Sequence, residues 1–291
     1  MAHSDGDWLD AQYNPLRNLP DPGVLFAAWE QRSAEARRNH SCHLDLRYGP
    51  SPGERLDVFP ALRADAPVAV FIHGGFWRGS DKSLHAFLAP ALTATGAAVV
   101  LLNYDLCPQV RIEDIVAQVH RGVAWVAQNI RHFGGDPQRI GLVGHSAGAH
   151  LAAMLLSEDG AGAPAPSVRQ ALCISGLFDL EVIRQVPFLQ ADLQLSEESA
   201  RRLSPIRRRP SPGAQVHAVV GGEESAEFLR QTTLLRAHWG TDCTPACGSI
   251  PGCSHFDILE ALALPHSALH ALAARVIHGH AVTAPARSPP S

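Results

Sequence analysis

From residue 68 onward the chain alternates short, wholly apolar runs with stretches whose apolar residues recur every three or four positions. The apolar runs lie at 68–73, 97–103, 140–144, 171–175, 215–220 and 245–250, and they read as strands. Helical spacing follows at 82–95, 112–133, 147–157, 225–239 and 266–277, while a polar, Arg-rich segment follows the fourth run. In the second helix Ile112, Ile115, Val116, Val119 and Val123 form one stripe, the pattern of a helix laid on a sheet. Strands without a polar face, alternating with such helices, predict a mostly parallel sheet covered on both sides. Upstream, a helix is predicted over 24–39, where Leu25, Ala28, Trp29, Arg32 and Ala36 share a face after the Pro20-Asp21-Pro22-Gly23 turn. Two strand-like runs, 42–48 and 55–59, flank Gly49-Pro50-Ser51-Pro52-Gly53 and predict a hairpin. The sum is eight strands in one α/β domain over 42–280. Residues 1–41 form an extension and a helix packed on it, 177–212 a small cap, and 281–291 a tail expected to be disordered.

Composition narrows the classes. With 291 residues, 46% hydrophobic, 18% charged and only 24 Gly, the chain is neither disordered nor collagen-like. A net charge of −4, and Arg207-Arg208-Arg209 as the densest basic run, give no footprint for nucleic acid. The longest apolar stretches, such as 67–72 and 97–102, are far shorter than the roughly 18–20 residues that span a bilayer. Asp5, Asp7 and Asp10 occupy the place of a secretory leader's positive region, so the expected location is the cytoplasm. Six cysteines in so long a chain read as reduced thiols. Cys243, Cys247, Cys253 and His255 invite a zinc reading, but only the first gap has the usual ligand spacing. No metal or cofactor is expected.

Gly144-His145-Ser146-Ala147-Gly148 matches G-x-S-x-G, directly after an apolar strand and before a small-residue helix. That setting puts a serine hydroxyl on a sharp turn at a helix N-terminus, where developing negative charge is favoured. Ser146 is therefore the candidate nucleophile. His73-Gly74-Gly75-Phe76-Trp77 follows the third strand, and the N–H groups of Gly74, Gly75 and Ala147 are candidates for an oxyanion hole. A serine of this kind needs a base, and the base needs an orienting acid. Among 16 histidines, His255 stands in the loop between the eighth strand and the last helix. Glu223 and Glu224 follow the seventh strand, and Asp179 follows the sixth. All three stay open as the acid.

With these motifs, together with Tyr104-Asp105-Leu106-Cys107-Pro108, Glu224-Ser225-Ala226-Glu227-Phe228 and His255-Phe256-Asp257, the chain resembles the arylformamidase (kynurenine formamidase)-like esterases of the α/β-hydrolase superfamily, roughly from Tyr13 to Ala273. The resemblance implies an α/β-hydrolase fold with an eight-stranded, mostly parallel sheet, and metal-free serine catalysis. It also places the triad acid at Glu224, where an Asp is usual. The expected function is cleavage of a small aryl formamide or related amide, N-formylkynurenine-like, through an acyl-enzyme. Hydrolysis of short-chain or aryl esters is the alternative, and a catalytically inactive ligand-binding protein the remote one. Phe76, Trp77, Tyr104 and His145 are the candidate substrate-pocket residues. Cap arginines such as Arg184, Arg201 and Arg202 either attract a carboxylate or form a solvated face. The expected partner is a small-molecule ester or amide, without nucleic acid or membrane, and a homodimer is left open.

Overall fold

The computed structural model describes residues 5–158 and 168–279; the tail expected at 281–291 lies outside them. Eight strands form one sheet: β1 (His43–Arg47), β2 (Arg55–Phe59), β3 (Ala66–Ile72), β4 (Ala98–Leu102), β5 (Gly135–His145), β6 (Val168–Ile174), β7 (Gln215–Gly221) and β8 (Cys247–Ile250). Their order is β1-β2-β4-β3-β5-β6-β7-β8. Only β2 runs against its neighbours, pairing antiparallel with β1 and β4. Among the described residues the helices are α1 (Asp5–Tyr13), α2 (Pro22–Asn39), α3 (Ala89–Thr93), α4 (Ile112–Asn129), α5 (Ala147–Leu155), α6 (Leu180–Ile183), α7 (Pro187–Leu193), α8 (Glu197–Arg202), α9 (Ala226–Cys243), α10 (Asp257–Ala263) and α11 (Ala268–His278).

β3 and β4 are buried at every position, which a strand achieves only with helices on both faces of its sheet. Val68, Val70 and Ile72 join one apolar cluster with the α4 stripe and α5, while Ala69 and Phe71 join the other with α10 and α11. The α4 residues Ile112, Ile115, Val116, Val119 and Val123 are all buried. Helix α2 is held to the body by Trp29, whose Nε1 donates to Glu260 at 2.6 Å.

Among the elements that differ from the sequence expectation, two do so for a local reason and one for a distant one. The helix predicted at 82–95 is a 3-10 helix (Lys82–Leu88) followed by α3, because Pro90 has no N–H to continue the ladder and sits in the first turn of a new helix. Strand β5 begins five residues earlier than its apolar run, since Asp136, Gln138 and Arg139 hide its first half from a hydrophobicity pattern. Helix α1, which lacks a strong apolar stripe, is anchored by its last residue. Buried Tyr13 donates from its hydroxyl to Glu227 of α9 at 2.7 Å and accepts from Gln231 at 2.9 Å.

The parallel strands deliver their C-terminal ends to one edge, where β3, β5, β6, β7 and β8 are followed by Gly74, Ser146, Ser175, Glu224 and His255. Ligands bind at that edge in open α/β sheets. Five histidines near it or in its supporting helices, His73, His85, His120, His145 and His150, are buried. Burial lowers the pKa of each, to about 3 for His85 and about 4 for His120 and His150.

Two outcomes are expected. The buried histidines stay neutral in the folded chain, while in the unfolded chain each takes up a proton near pH 6.5. Their contribution is therefore intact above pH 6.5 and is lost as pH falls toward 4, at up to about 1.4 kcal/mol per pH unit per histidine. Urea-unfolding midpoints at pH 7.5, 6.5 and 5.5 should fall in that order, and a flat series contradicts the assignment. Second, a Cβ at Gly148 would lie 2.0 Å from the Ile72 carbonyl oxygen and 2.5 Å from that of His73, backbone atoms fixed at the end of β3. Gly148→Ala should cost more than about 3 kcal/mol. Gly248→Ala, which meets nothing within 4 Å, should leave the midpoint close to wild type.

Candidate active site

Strand β5 ends in a reversal at Ser146, whose backbone is held at φ 56°, ψ −120°. A non-glycine residue at positive φ is strained, and here the turn is fixed from two sides. Ser146 N–H donates to the Ile174 carbonyl at 2.8 Å, and a Cβ at Gly144 would fall 2.3 Å from the Gly148 carbonyl oxygen. Helix α5 then starts at Ala147, whose N–H belongs to the first turn, where amides have no partner within the helix.

The loop after β3 comes against this turn. A Cβ at Gly74 would be 2.8 Å from the Ser146 Cβ, so only glycine permits the approach. Gly75, at φ +106°, accepts backbone bonds from Arg78 and Gly79 at 3.0 Å each. The turn between them holds Phe76 and Trp77 at φ 50° and 56°. Beneath it, Tyr104 stacks on His73 with centroids 4.3 Å apart and donates from its hydroxyl to the His73 carbonyl at 2.8 Å. The His73 ring lies 3.0 Å from the Asn103 side-chain oxygen, which also accepts the Lys82 N–H.

His255 places Nδ1 2.6 Å from Glu224 Oε2. The other Glu224 oxygen accepts from Ser175 Oγ at 2.5 Å and from Gly221 N–H at 2.7 Å, and the two side chains are only 6% and 1% exposed. With Nδ1–H given to the carboxylate, Nε2 keeps its lone pair. Phe228 packs on the imidazole at 4.5 Å, and the His255 carbonyl lies 2.9 Å from His145 Nε2. Burial holds His145 well below the usual histidine pKa, so it is neutral and donates this bond. The rival acids lie elsewhere. Glu223 is exposed, and Asp179 caps α6 at the Glu181 N–H, with Arg230 at 3.8 Å.

Ser146, His255, His145, Gly74 and Gly75 border one cavity of about 580 Å³. Its aromatic wall is Phe26, Trp29, Phe76, Phe188 and Phe256, and Asn14, Pro15 and Leu16 close one side. Two expected pocket residues are corrected here. Trp77 is fully buried and Tyr104 is 1% exposed, and neither borders the cavity. Trp77 turns into the core against His150, ring centroids 4.9 Å apart, and Tyr104 is consumed in bracing His73. Of the aromatic wall, only Phe76 was visible as a candidate in the sequence. Phe26, Trp29, Phe188 and Phe256 are carried in from α2, the cap and the loop before α10, and nothing in local spacing marks them. The cap arginines stand apart from the cavity, Arg202 being bound to Glu113 at 2.6 Å. No described residues cluster as metal ligands, and no described helix is long and apolar enough to cross a membrane.

Family models match two parts of the chain, BD-FAE over residues 56–162 and the carboxylesterase family over 116–233. Kynurenine formamidase of Danio rerio is 32% identical over 271 residues, covering 88% of this chain and 91% of that protein. The Salmo salar enzyme of the same name is 33% identical over 274 residues, with the same two coverages. A solved structure from Silicibacter sp. TM1040, provisionally described as a thioesterase, superposes with a TM-score of 0.82 at 29% identity, over 92% of this chain and 98% of that one.

Proposed function

Because the chain, a hydrolase of the α/β-hydrolase fold, belongs to the kynurenine formamidase family, we propose that it hydrolyses a small aryl formamide of the N-formylkynurenine kind by way of a serine-bound acyl group. The observation that carries this reading is the 2.6 Å contact between Glu224 and His255, at the rim of a cavity that also contains Ser146 at the strained turn. His255 Nε2 takes the proton from Ser146 Oγ as that oxygen attacks the formyl carbon. Glu224 fixes the tautomer and stabilises the imidazolium. The amides of Gly74, Gly75 and Ala147 hold the oxyanion, and their rigid backing means that little reorganisation is needed as charge develops. The C–N bond then breaks, His255 returns its proton to the leaving aryl amine, and a water activated by His255 releases formate and restores the serine.

The aromatic wall suits an aryl leaving group, and a formyl group needs almost no acyl room beside the Gly74 contact. The carboxylesterase match over 116–233 favours a second reading, hydrolysis of short-chain or aryl esters by the same residues. Six free cysteines fit a reducing, cytoplasmic setting.

Purified protein should turn over N-formylkynurenine with a higher kcat/KM than p-nitrophenyl acetate or butyrate, and activity should survive a chelator. Efficient butyrate turnover without measurable formamide cleavage transfers the proposal to the ester reading. Ser146→Ala should lose at least about 10³-fold in kcat, and Glu224→Ala about 10³–10⁴-fold, with Glu223→Ala and Asp179→Ala far less affected. A folded Asp179→Ala protein with the larger loss moves the acid to the sixth strand.

A further inference from the structure

The lining of the active-site cavity contains a single fixed charge. Among the described residues around it there is no Asp, Glu or Lys, and Arg78 is the one arginine. The rest is aromatic, aliphatic, glycine or uncharged polar, with His85 and His145 kept neutral by burial. A guanidinium beside apolar walls acts on whatever enters the cavity.

Arg78 is also held at a set place relative to the reaction centre. Its N–H closes the turn onto the Gly75 carbonyl at 3.0 Å, which keeps the two Cα atoms within about 7 Å. Its guanidinium lies over the Phe188 ring, 5.5 Å from the centroid, and Nη1 is bound to Asp192 of the cap helix α7. The Arg78 and Asp192 side chains are 35% and 31% exposed. That contact is made by Nη1 alone, and a guanidinium has five N–H groups with which to donate.

We infer that Arg78 is a carboxylate anchor for the leaving-group half of the substrate, with Asp192 as the counter-ion that the substrate carboxylate displaces or shares. The inference rests on the hydrolase reading above. A formyl group presents only a hydrogen beyond its carbonyl, so a carboxylate bound at Arg78 while the carbonyl sits at Gly74 and Gly75 belongs to the amine side. A partly exposed ion pair contributes little to stability, so exchange of Asp192 for a bidentate substrate carboxylate is not opposed by a strong existing contact. The substrate class is thus an aryl formamide or aryl ester whose leaving group bears a carboxylate, and the turn from Gly75 to Arg78 sets the spacing between the two.

The test measures kcat and KM for wild type, Arg78→Gln and Asp192→Asn on N-formylkynurenine, its carboxamide, which loses the carboxylate but keeps the ammonium, and formanilide, and on the ester pair 3-acetoxybenzoate and phenyl acetate. Arg78→Gln should lower kcat/KM for the two carboxylates by about 10–100-fold, mainly through KM, and lower that of the three substrates without a carboxylate by no more than about twofold. Asp192→Asn should raise kcat/KM for the carboxylates alone. Equal losses on substrates with and without a carboxylate give Arg78 a merely structural role, and no loss on either removes the anchor; each outcome overturns the inference. The ester pair separates it from the formamidase reading. If formamides are not cleaved but 3-acetoxybenzoate is preferred over phenyl acetate, and Arg78→Gln abolishes that preference, the anchor stands and the formamide substrate falls. If neither formamides nor esters show a charge preference, the anchor falls by itself.

Discussion

The close passage of backbone over backbone where β5 turns into α5 is the constraint on which the other parts depend. Gly148 lies beneath the carbonyls of Ile72, the last residue of β3, and of His73 just after it, and Gly144 beneath the carbonyl of Gly148, at distances no Cβ tolerates. This contact binds the turn at Ser146 and the loop at Gly74 and Gly75 into one rigid unit, since both grow from the same two adjacent strands. Positive φ at Ser146, Phe76 and Trp77 is tolerated because the surrounding packing overdetermines it. Fully buried Trp77 and its aromatic contact with His150 are part of that packing.

Polar groups in this region are stabilised by partners, not by water. Glu224 accepts from three separate donors, which satisfies the oxygens of a side chain that is only 1% exposed. Behind the loop at Gly74 and Gly75, Lys82 bridges Asp45 and Asp57 at 2.7 Å each and gives its backbone N–H to Asn103. Desolvation opposes the lysine charge there, yet the two carboxylates together hold its pKa up. This ion cluster reaches His73 through Asn103, so the loop beside Ser146 is braced by an ion cluster behind it.

Much of this arrangement was legible in the sequence, because its determinants are local. Wholly apolar runs announced buried strands, and G-x-S-x-G between a strand and a helix announced the turn. Glu224 needed the resemblance to a family, since acid residues after β6 and β7 look alike until the fold brings one of them to His255. The cavity wall was not legible. Trp77 adjoins the glycine motif in sequence and points away from the cavity, whereas Phe188 and Phe256 are remote in sequence and face it. Periodicity also missed α1, whose hold on the body is Tyr13 and its contacts more than 200 residues away. Such pairings follow from topology, which no window along the chain reports.

The docking of Tyr13 on α9 carries a consequence for the order in which the molecule is made. Residues 14–16 form one side of the cavity, but the helix that seats them spans Ala226–Cys243, and His255 comes later still. During vectorial synthesis α1 leaves the ribosome more than 200 residues before α9 and therefore waits, undocked, until that helix has emerged. The cavity that begins at residue 14 and ends at residue 256 closes in one late step, and a nascent chain cut short of that point holds Ser146 without His255.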